Sequence, residues 1–203
     1  MKISAFELPP LGTVAYLLTD KETRQALLID APMGASKAIE PVLKEEACEL
    51  AAVLLTHGHF DHIMDGHLFN QKGVPVYGHE GDKTFFANPS VQSILFQGLP
   101  HIHPVKIDKW LHPKENLKIA GYQIEVRYVP GHAPGSVLFY IEAMQTAFVG
   151  DTVFSGGVGR VDIPGGNAAT LRKSIREQIF TLPDATILYP GHGPSTTVAN
   201  EKL

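Results

Sequence analysis

The stretch Thr56-His57-Gly58-His59-Phe60-Asp61-His62 places three imidazoles and a carboxylate within six residues. It directly follows the apolar segment 50–55. A short apolar run of this kind is typical of a buried strand, so the histidines follow the carboxyl end of that strand. So many ligand-type side chains at the end of a buried strand indicate a metal site.

The spacing within this stretch fits two neighbouring metal ions. His57 and His59 lie two residues apart, and an extended backbone directs alternate side chains to one side. Asp61 and His62 are adjacent, so they can point in different directions. We therefore expect one ion on His57 and His59 and a second ion on Asp61 and His62.

Three later segments each bring one further ligand-type residue to the end of a predicted strand, beside a glycine. These segments are Pro130-Gly131-His132, Gly150-Asp151 and Pro190-Gly191-His192. Glycine allows the backbone to pack closely around a site. Seven such residues at four strand ends predict a single site assembled from distant parts of the chain.

The residue pattern around these segments predicts two β-rich halves. Strands are predicted over residues 2–8, 13–19, 25–29, 50–55 and 74–77, and again over residues 122–129, 136–141, 146–149 and 186–189. Helices are predicted over residues 34–47, 64–71 and 168–180. Pro41 either starts or bends the first of these helices, and Asn167 is the predicted N-cap of the last.

The order of strands, helix, strand and site occurs twice, which predicts an α/β fold with two facing sheets and helices outside them: a four-layer αββα sandwich. Residues 79–113 break the pattern repeatedly. We expect them to form a long excursion, either a lid or a surface insertion, with one short helix near residues 91–96. The length of 203 residues is consistent with one domain over residues 1–203.

Composition limits the classes of partner. The formal net charge of −4 argues against nucleic-acid binding, because no basic excess exists to contact phosphates. No apolar run approaches the length that spans a membrane, and the N-terminus does not resemble a signal peptide, so a cytoplasmic protein is expected. Cys48 is the single cysteine, which excludes an intrachain disulfide. The oligomeric state is left open.

The complete set of motifs, His57-Gly58-His59-Phe60-Asp61-His62 with His132, Asp151 and His192, resembles the metallo-β-lactamase fold superfamily over nearly the whole chain. The resemblance implies an αββα sandwich with two metal ions at the sheet edges. It also implies a ligand set: His57, His59 and His132 for the first ion, Asp61, His62 and His192 for the second, and Asp151 bridging both.

Within that superfamily, Asp151 is typical of hydroxyacylglutathione hydrolases (glyoxalase II). The segment Gly159-Arg160-Val161-Asp162-Ile163-Pro164-Gly165-Gly166 resembles short, single-domain bacterial members. The implied reaction is hydrolysis of a small-molecule thioester, S-2-hydroxyacylglutathione, by a metal-bridging hydroxide, with Asp61 orienting the water and accepting its proton. Two divalent ions are implied; zinc is expected from the histidine-rich ligands, and iron or manganese are the alternatives.

Two further residues are candidates for substrate contact. Phe60 projects from the ligand segment, with plain packing as the alternative. Arg160 is the other candidate, and a charge pair with Asp162 that holds the loop is the favoured alternative for it. His101 and His103, which repeat the two-residue spacing, are expected to lie on the surface.

Three other functions remain open from the sequence. A mononuclear-iron persulfide dioxygenase shares the seven ligands and a related Gly-Arg-x-Asp segment, and the metal stoichiometry would separate it from the thioesterase. A β-lactamase or lactonase and a non-catalytic metal-binding module fit less well.

Overall fold

The computed structural model describes residues 1–92 and 101–202. The first half of the chain forms a six-stranded sheet in sequence order. Its strands are β1 (Lys2–Leu8), β2 (Thr13–Asp20), β3 (Gln25–Ile29), β4 (Glu49–Leu54), β5 (Val76–His79) and β6 (Lys109–Leu111). β1, β2 and β3 pair antiparallel, whereas β3 to β6 pair parallel.

The second half forms another six-stranded sheet. The strands up to residue 158 are β7 (Asn116–Ile119), β8 (Tyr122–Tyr128), β9 (Val137–Ile141), β10 (Thr146–Gly150) and a separate small hairpin of β11 (Val153–Phe154) and β12 (Gly157–Val158). β13 (Ile187–Pro190) and β14 (Thr196–Thr197) complete the sheet in the order β14-β13-β10-β9-β8-β7. β10 and β13 pair parallel, so their carboxyl ends meet at one edge.

Short helices connect and cover the sheets. They are α1 (Ala35–Ala38), α2 (Glu40–Glu45), α3 (Phe60–Ile63), α4 (Gly66–Gln71), α5 (Lys83–Ala87), α6 (Ala168–Ser174) and α7 (Val198–Glu201). A π-helical turn, Ile175–Ile179, continues α6. Over the described ranges, no helix has the length and apolar character needed to cross a membrane.

Three apolar clusters separate four layers. The cluster between the sheets contains Tyr16 and Leu18 of β2 together with Ile124 and Phe139 of the second sheet. Leu17, the residue between them, packs instead with the helices outside the first sheet, as the period of two requires. A third cluster joins α6 to the outer face of the second sheet. The predicted αββα sandwich is confirmed.

Two helix predictions need correction. The helix predicted over residues 34–47 is two helices, because Pro41 occupies the first turn of α2 and separates it from α1. The helix predicted over residues 64–71 is preceded by a separate short helix, α3. Asp61 and His62 therefore lie on a helix and not in an extended segment. Phe60 and Ile63, one turn apart, are both buried, and their packing into the interior favours the helical turn.

The predicted excursion over residues 79–113 is more regular than its sequence indicates. It contains α5, a 3₁₀ turn over Pro89–Gln92, and β6 at the edge of the first sheet. Of the short helix predicted near residues 91–96, residues 93–96 lie outside the described residues. The sequence pattern also missed β6 and β7, because strands of three or four residues give too short a period to detect.

A substitution of Phe148 tests how much the core between the sheets contributes to stability. Its ring is fully buried, with ring centroids 5.3 Å from those of both Tyr16 and Tyr189. We expect Phe148→Ala to lower the free energy of unfolding by about 3–5 kcal/mol, because the truncation leaves a cavity. Urea denaturation of the metal-free protein measures this change. Val158→Ala, at an exposed position, is the control and should change it by less than about 0.5 kcal/mol; equal effects would contradict the assigned core.

Candidate metal centre

The seven predicted ligand residues converge on one edge of the sandwich. His57 and His59 follow β4, and α3 carries Asp61 and His62. The other three follow strands of the second sheet: His132 after β8, Asp151 after β10 and His192 after β13. The two sheets meet here, since the Val14 amide donates to the Gly191 carbonyl at 2.7 Å. Parallel strands bring their carboxyl ends to a common edge, and this places distant residues together.

These side chains form three overlapping groups, in each of which all ligand atoms lie within 4.8 Å of one another. The groups are His57, His59 and His132; Asp61, His62 and His192; and His57, His62 and Asp151. The first two groups match the two triads expected from the sequence. The third group brings Asp151 together with one member of each triad.

The Asp151 carboxylate contacts both triads. Its Oδ1 lies 3.3 Å from Nε2 of His62, and its Oδ2 lies 3.4 Å from Nε2 of both His132 and His192. Gly191 permits this approach, because a Cβ atom at that position would lie 2.2 Å from Oδ1 of Asp151. The carboxylate therefore lies between the two triads and is in contact with residues of each.

Hydrogen bonds on the far side of the rings fix the orientation of the imidazoles. Nδ1 of His62 lies 2.8 Å from Oδ2 of Asp30, and Asp30 also accepts from the amide and the hydroxyl of Thr56 at 2.7 and 2.8 Å. Oγ1 of Thr56 is in turn 3.0 Å from Nδ1 of His57. Nδ1 of His132 donates to the Arg160 carbonyl at 2.8 Å. Such partners set the tautomer and direct the other nitrogen toward the site.

The donor set suits a divalent metal. Nε2 of His57, Nε2 of His62 and Oδ1 of Asp151 are buried and make no hydrogen bond among the described residues, although the last two atoms face each other at 3.3 Å. A buried polar atom without a partner is costly. All three atoms belong to one of the overlapping groups, and imidazole nitrogen with carboxylate oxygen is a common ligand combination for zinc, iron and manganese. A divalent ion would satisfy all three atoms.

The three-histidine group is held in the neutral state. Burial, reinforced by the neighbouring imidazoles, lowers the pKa of His57 well below its usual value. Burial and His132 lower the pKa of His59 to about 3, and burial lowers the pKa of His132. Neutral imidazole is the form that binds metal ions, so this triad is ready to ligate at neutral pH.

The second triad is charged. Burial opposes protonation of His62, but Asp61, Asp151 and Asp30 raise its pKa well above the usual value. Burial is likewise outweighed at His192, where hydrogen bonds to Asp151 and Asp61 raise the pKa to about 9. Burial would raise the pKa of both Asp61 and Asp151, but His62 and His192 hold them low, so both carboxylates are ionised.

Two buried residues outside the predicted set hold the ligand segment in place. Asp82 accepts from the amides of Gly58 and Gly135, both at 2.7 Å, which ties the His57–His59 segment to the segment after His132; burial raises the pKa of Asp82 to about 6. Gln92 accepts from the Phe60 amide and donates to the Gly58 carbonyl, both at 2.9 Å. Sequence reasoning missed both, because they lie in the excursion that lacks a periodic pattern.

A pocket of about 430 Å³ opens onto the site. Five of the seven predicted ligands line it: His59, Asp61, His132, Asp151 and His192. Phe60 and Arg160 line it too. Phe60 is also packed into a small cluster with Met64 and Ile102. Arg160 forms the expected charge pair, with its Nε and Nη2 each 2.8 Å from an oxygen of Asp162.

The chain belongs to the metallo-beta-lactamase superfamily. The model of that family matches residues 8–192, and the members of the superfamily are generally metal-dependent hydrolases. A curated relative, the hydroxyacylglutathione hydrolase GloC of Haemophilus influenzae, is 38% identical over 92% of this chain and 88% of its own length.

Two solved structures share the fold closely. The B3 metallo-beta-lactamase BLEG-1 has a TM-score of 0.90 and 35% identity, over 98% of this chain and 96% of its own. TTHA1623, solved in a di-iron-bound form, has a TM-score of 0.86 and 32% identity over the same shares. These similarities agree with a metal site of histidine and aspartate side chains and leave the identity of the ion open.

A substitution of Asp30 tests whether its hydrogen bond to the His62 ring contributes to metal binding. We expect Asp30→Ala to weaken Zn²⁺ binding by about 10–100-fold, because the variant leaves the ring of His62 without its partner. A competition titration with a chromophoric chelator measures this affinity. Asp65→Ala is the matched control: Asp65 is a buried aspartate that accepts from the Ser36 amide at 2.9 Å. An unchanged affinity in Asp30→Ala would contradict the role of Asp30.

Metal binding should also release protons. His62 and His192 are protonated in the metal-free protein at pH 7, because their pKa values are raised, and a metal ion takes only the neutral ring. We expect these two rings to contribute about two of the protons released per fully loaded chain, and the affinity to increase as the pH rises toward 9. Calorimetry in buffers of different ionisation enthalpy counts these protons. His192→Gln should release about one proton fewer, and a count independent of this substitution would contradict the assigned charge state.

Proposed function

We propose that this protein is a two-metal hydrolase that cleaves thioesters, with S-2-hydroxyacylglutathione as its first candidate substrate. The observation that carries the proposal is the position of Asp151, whose two oxygens lie against both triads. A carboxylate shared in this way suits a centre of two ions. The 38% identity to a hydroxyacylglutathione hydrolase supports the choice of substrate.

In this proposal His57, His59 and His132 would hold the first ion, and Asp61, His62 and His192 would hold the second. Asp151 would be the ligand that the two triads share. Zinc suits the histidine-rich ligand set. Iron and manganese are compatible with the triad that contains a carboxylate, and a relative solved with two irons supports them.

Two divalent ions, when bound, polarise a carbonyl oxygen and lower the pKa of coordinated water to about 7. The residues of the chain then orient the reacting water and accept its proton. Asp61 lines the pocket, is ionised, and is oriented by the Thr13 hydroxyl, which donates to its Oδ2 at 2.7 Å. We assign to Asp61 the acceptance of the proton from the attacking water. A departing thiolate, with a pKa near 8.5, needs little help from a general acid.

The metal-loaded protein should hydrolyse S-lactoylglutathione. The loss of thioester absorbance measures this reaction. His57→Ala should reduce the rate to that of buffer alone, because it removes a ligand of the first ion. His112→Ala is the control and should retain the activity. His112 is exposed and belongs neither to the ligand groups nor to the pocket lining. A metal-loaded protein without turnover would remove the glutathione thioester and leave a metal-dependent hydrolase of another substrate.

A mononuclear-iron persulfide dioxygenase is the second candidate. The three-histidine group is complete by itself and could hold a single ion, and this observation favours the alternative. Metal content by mass spectrometry and oxygen uptake with glutathione persulfide separate the two candidates. One iron per chain with oxygen uptake would overturn the thioesterase.

β-Lactam hydrolysis is a weaker candidate, supported by the 35% identity to BLEG-1. A chromogenic β-lactam tests it with the same metal-loaded protein. Hydrolysis of the β-lactam at a higher kcat/KM than that of every thioester would favour this activity over the proposed one.

A further inference from the structure

The pocket over the candidate metal centre is apolar outside the ligand residues. Of the ten lining residues that are not predicted metal ligands, eight are apolar. They come from two parts of the chain, before residue 92 and after residue 153, and include Phe60, Phe85, Val91, Phe154, Val158 and Ile163. Pockets lined in this way bury the apolar part of a ligand, and their few polar groups fix its orientation.

Apolar side chains are also exposed around the mouth of the pocket. Five large apolar residues are exposed in the part of the chain that the structure describes, and three of them line this pocket: Leu11, Val91 and Val158, with 49%, 37% and 56% exposure. Exposed apolar side chains gathered at a concave site mark a surface that a ligand covers.

Among the described residues that line the pocket, no lysine or arginine side chain is free of an ion pair. Arg160 is the one lysine or arginine among its described lining residues, and Asp162 holds the guanidinium at two nitrogens. Residues 93–100 contain no lysine, arginine or histidine. Glutathione carries two carboxylates. Moving a carboxylate out of water without a cationic partner is unfavourable, so the apolar wall of this pocket is poorly matched to that thiol.

We propose that the pocket selects esters and thioesters in which the group beside the reacting carbonyl is apolar and uncharged. This inference rests on the proposed thioesterase function and places apolar thioesters ahead of S-2-hydroxyacylglutathione as its substrates. The apolar group can be the acyl chain or the thiol, and both present the same chemistry to the pocket wall.

Four thioesters distinguish these two sources. They combine a lactoyl or a hexanoyl group with glutathione or with the uncharged thiol N-acetylcysteamine. Each methylene that becomes buried should raise kcat/KM about fourfold until the pocket is filled. S-hexanoyl-N-acetylcysteamine should therefore exceed S-lactoylglutathione by at least about tenfold in kcat/KM. A gain from the acyl change alone places the acyl chain in the pocket, and a gain from the thiol change alone places the thiol there. No gain from either change overturns the proposal.

Asp162 provides a variant that changes the charge and leaves the ligands intact. Asp162→Asn releases Arg160, so kcat/KM for the glutathione thioesters should rise about two- to fivefold while that for the N-acetylcysteamine thioesters stays the same. Asp184→Asn is the matched control, because Asp184 forms a surface pair with Lys202. An equal change for both thiols in Asp162→Asn would show that the paired arginine does not set the preference.

Binding of thioethers separates this inference from the proposed reaction. S-hexyl-N-acetylcysteamine and S-methylglutathione have no thioester bond, and calorimetry on the metal-loaded protein compares their affinities. If the apolar thioether binds more tightly but no thioester is hydrolysed, the proposed thioesterase reaction is wrong and the apolar preference of the pocket stands. Hydrolysis of all four thioesters with equal binding of both thioethers would retain the reaction and overturn the apolar preference.

Discussion

The carboxylate of Asp151, whose side chain is 10% exposed, lies 3.3–3.4 Å from three imidazoles and joins the two triads into one site. Charged groups lose hydration when they are buried, and this loss is repaid only by close partners of opposite charge. In the metal-free protein His62 and His192 supply that charge as imidazolium ions. Two divalent cations would supply it when the site is loaded, so the same geometry serves both states.

The sandwich holds this group of side chains together by its topology. Four strand ends converge where the sheets meet, and the Val14–Gly191 hydrogen bond connects the sheets beside His192. Asp30 and Asp82 then bind backbone amides of the ligand segment, so the imidazoles are held by rigid neighbours. The apolar pocket lies directly over this polar centre. An apolar lining that excludes water strengthens electrostatic interactions at the candidate metal centre and favours an uncharged substrate.

The sequence predicted the layers and the convergence of the ligands, because apolar periodicity and ligand spacing are local signals. The seven side chains lie together as the strand ends indicate, whereas their role as metal ligands stays a prediction. The supporting residues Asp30, Asp82 and Gln92 were missed, since their partners are 24 to 53 residues away along the chain. Short elements such as α3 and β6 were missed as well, because tertiary packing and not periodicity determines them.

If Asp151 joins two metal ions in one centre, anomalous diffraction from crystals of the Zn²⁺-loaded protein should show two peaks. One peak is expected among His57, His59 and His132 and the other among Asp61, His62 and His192, with an oxygen of Asp151 in contact with each. A single peak on the three histidines after saturation with zinc would contradict this role of Asp151.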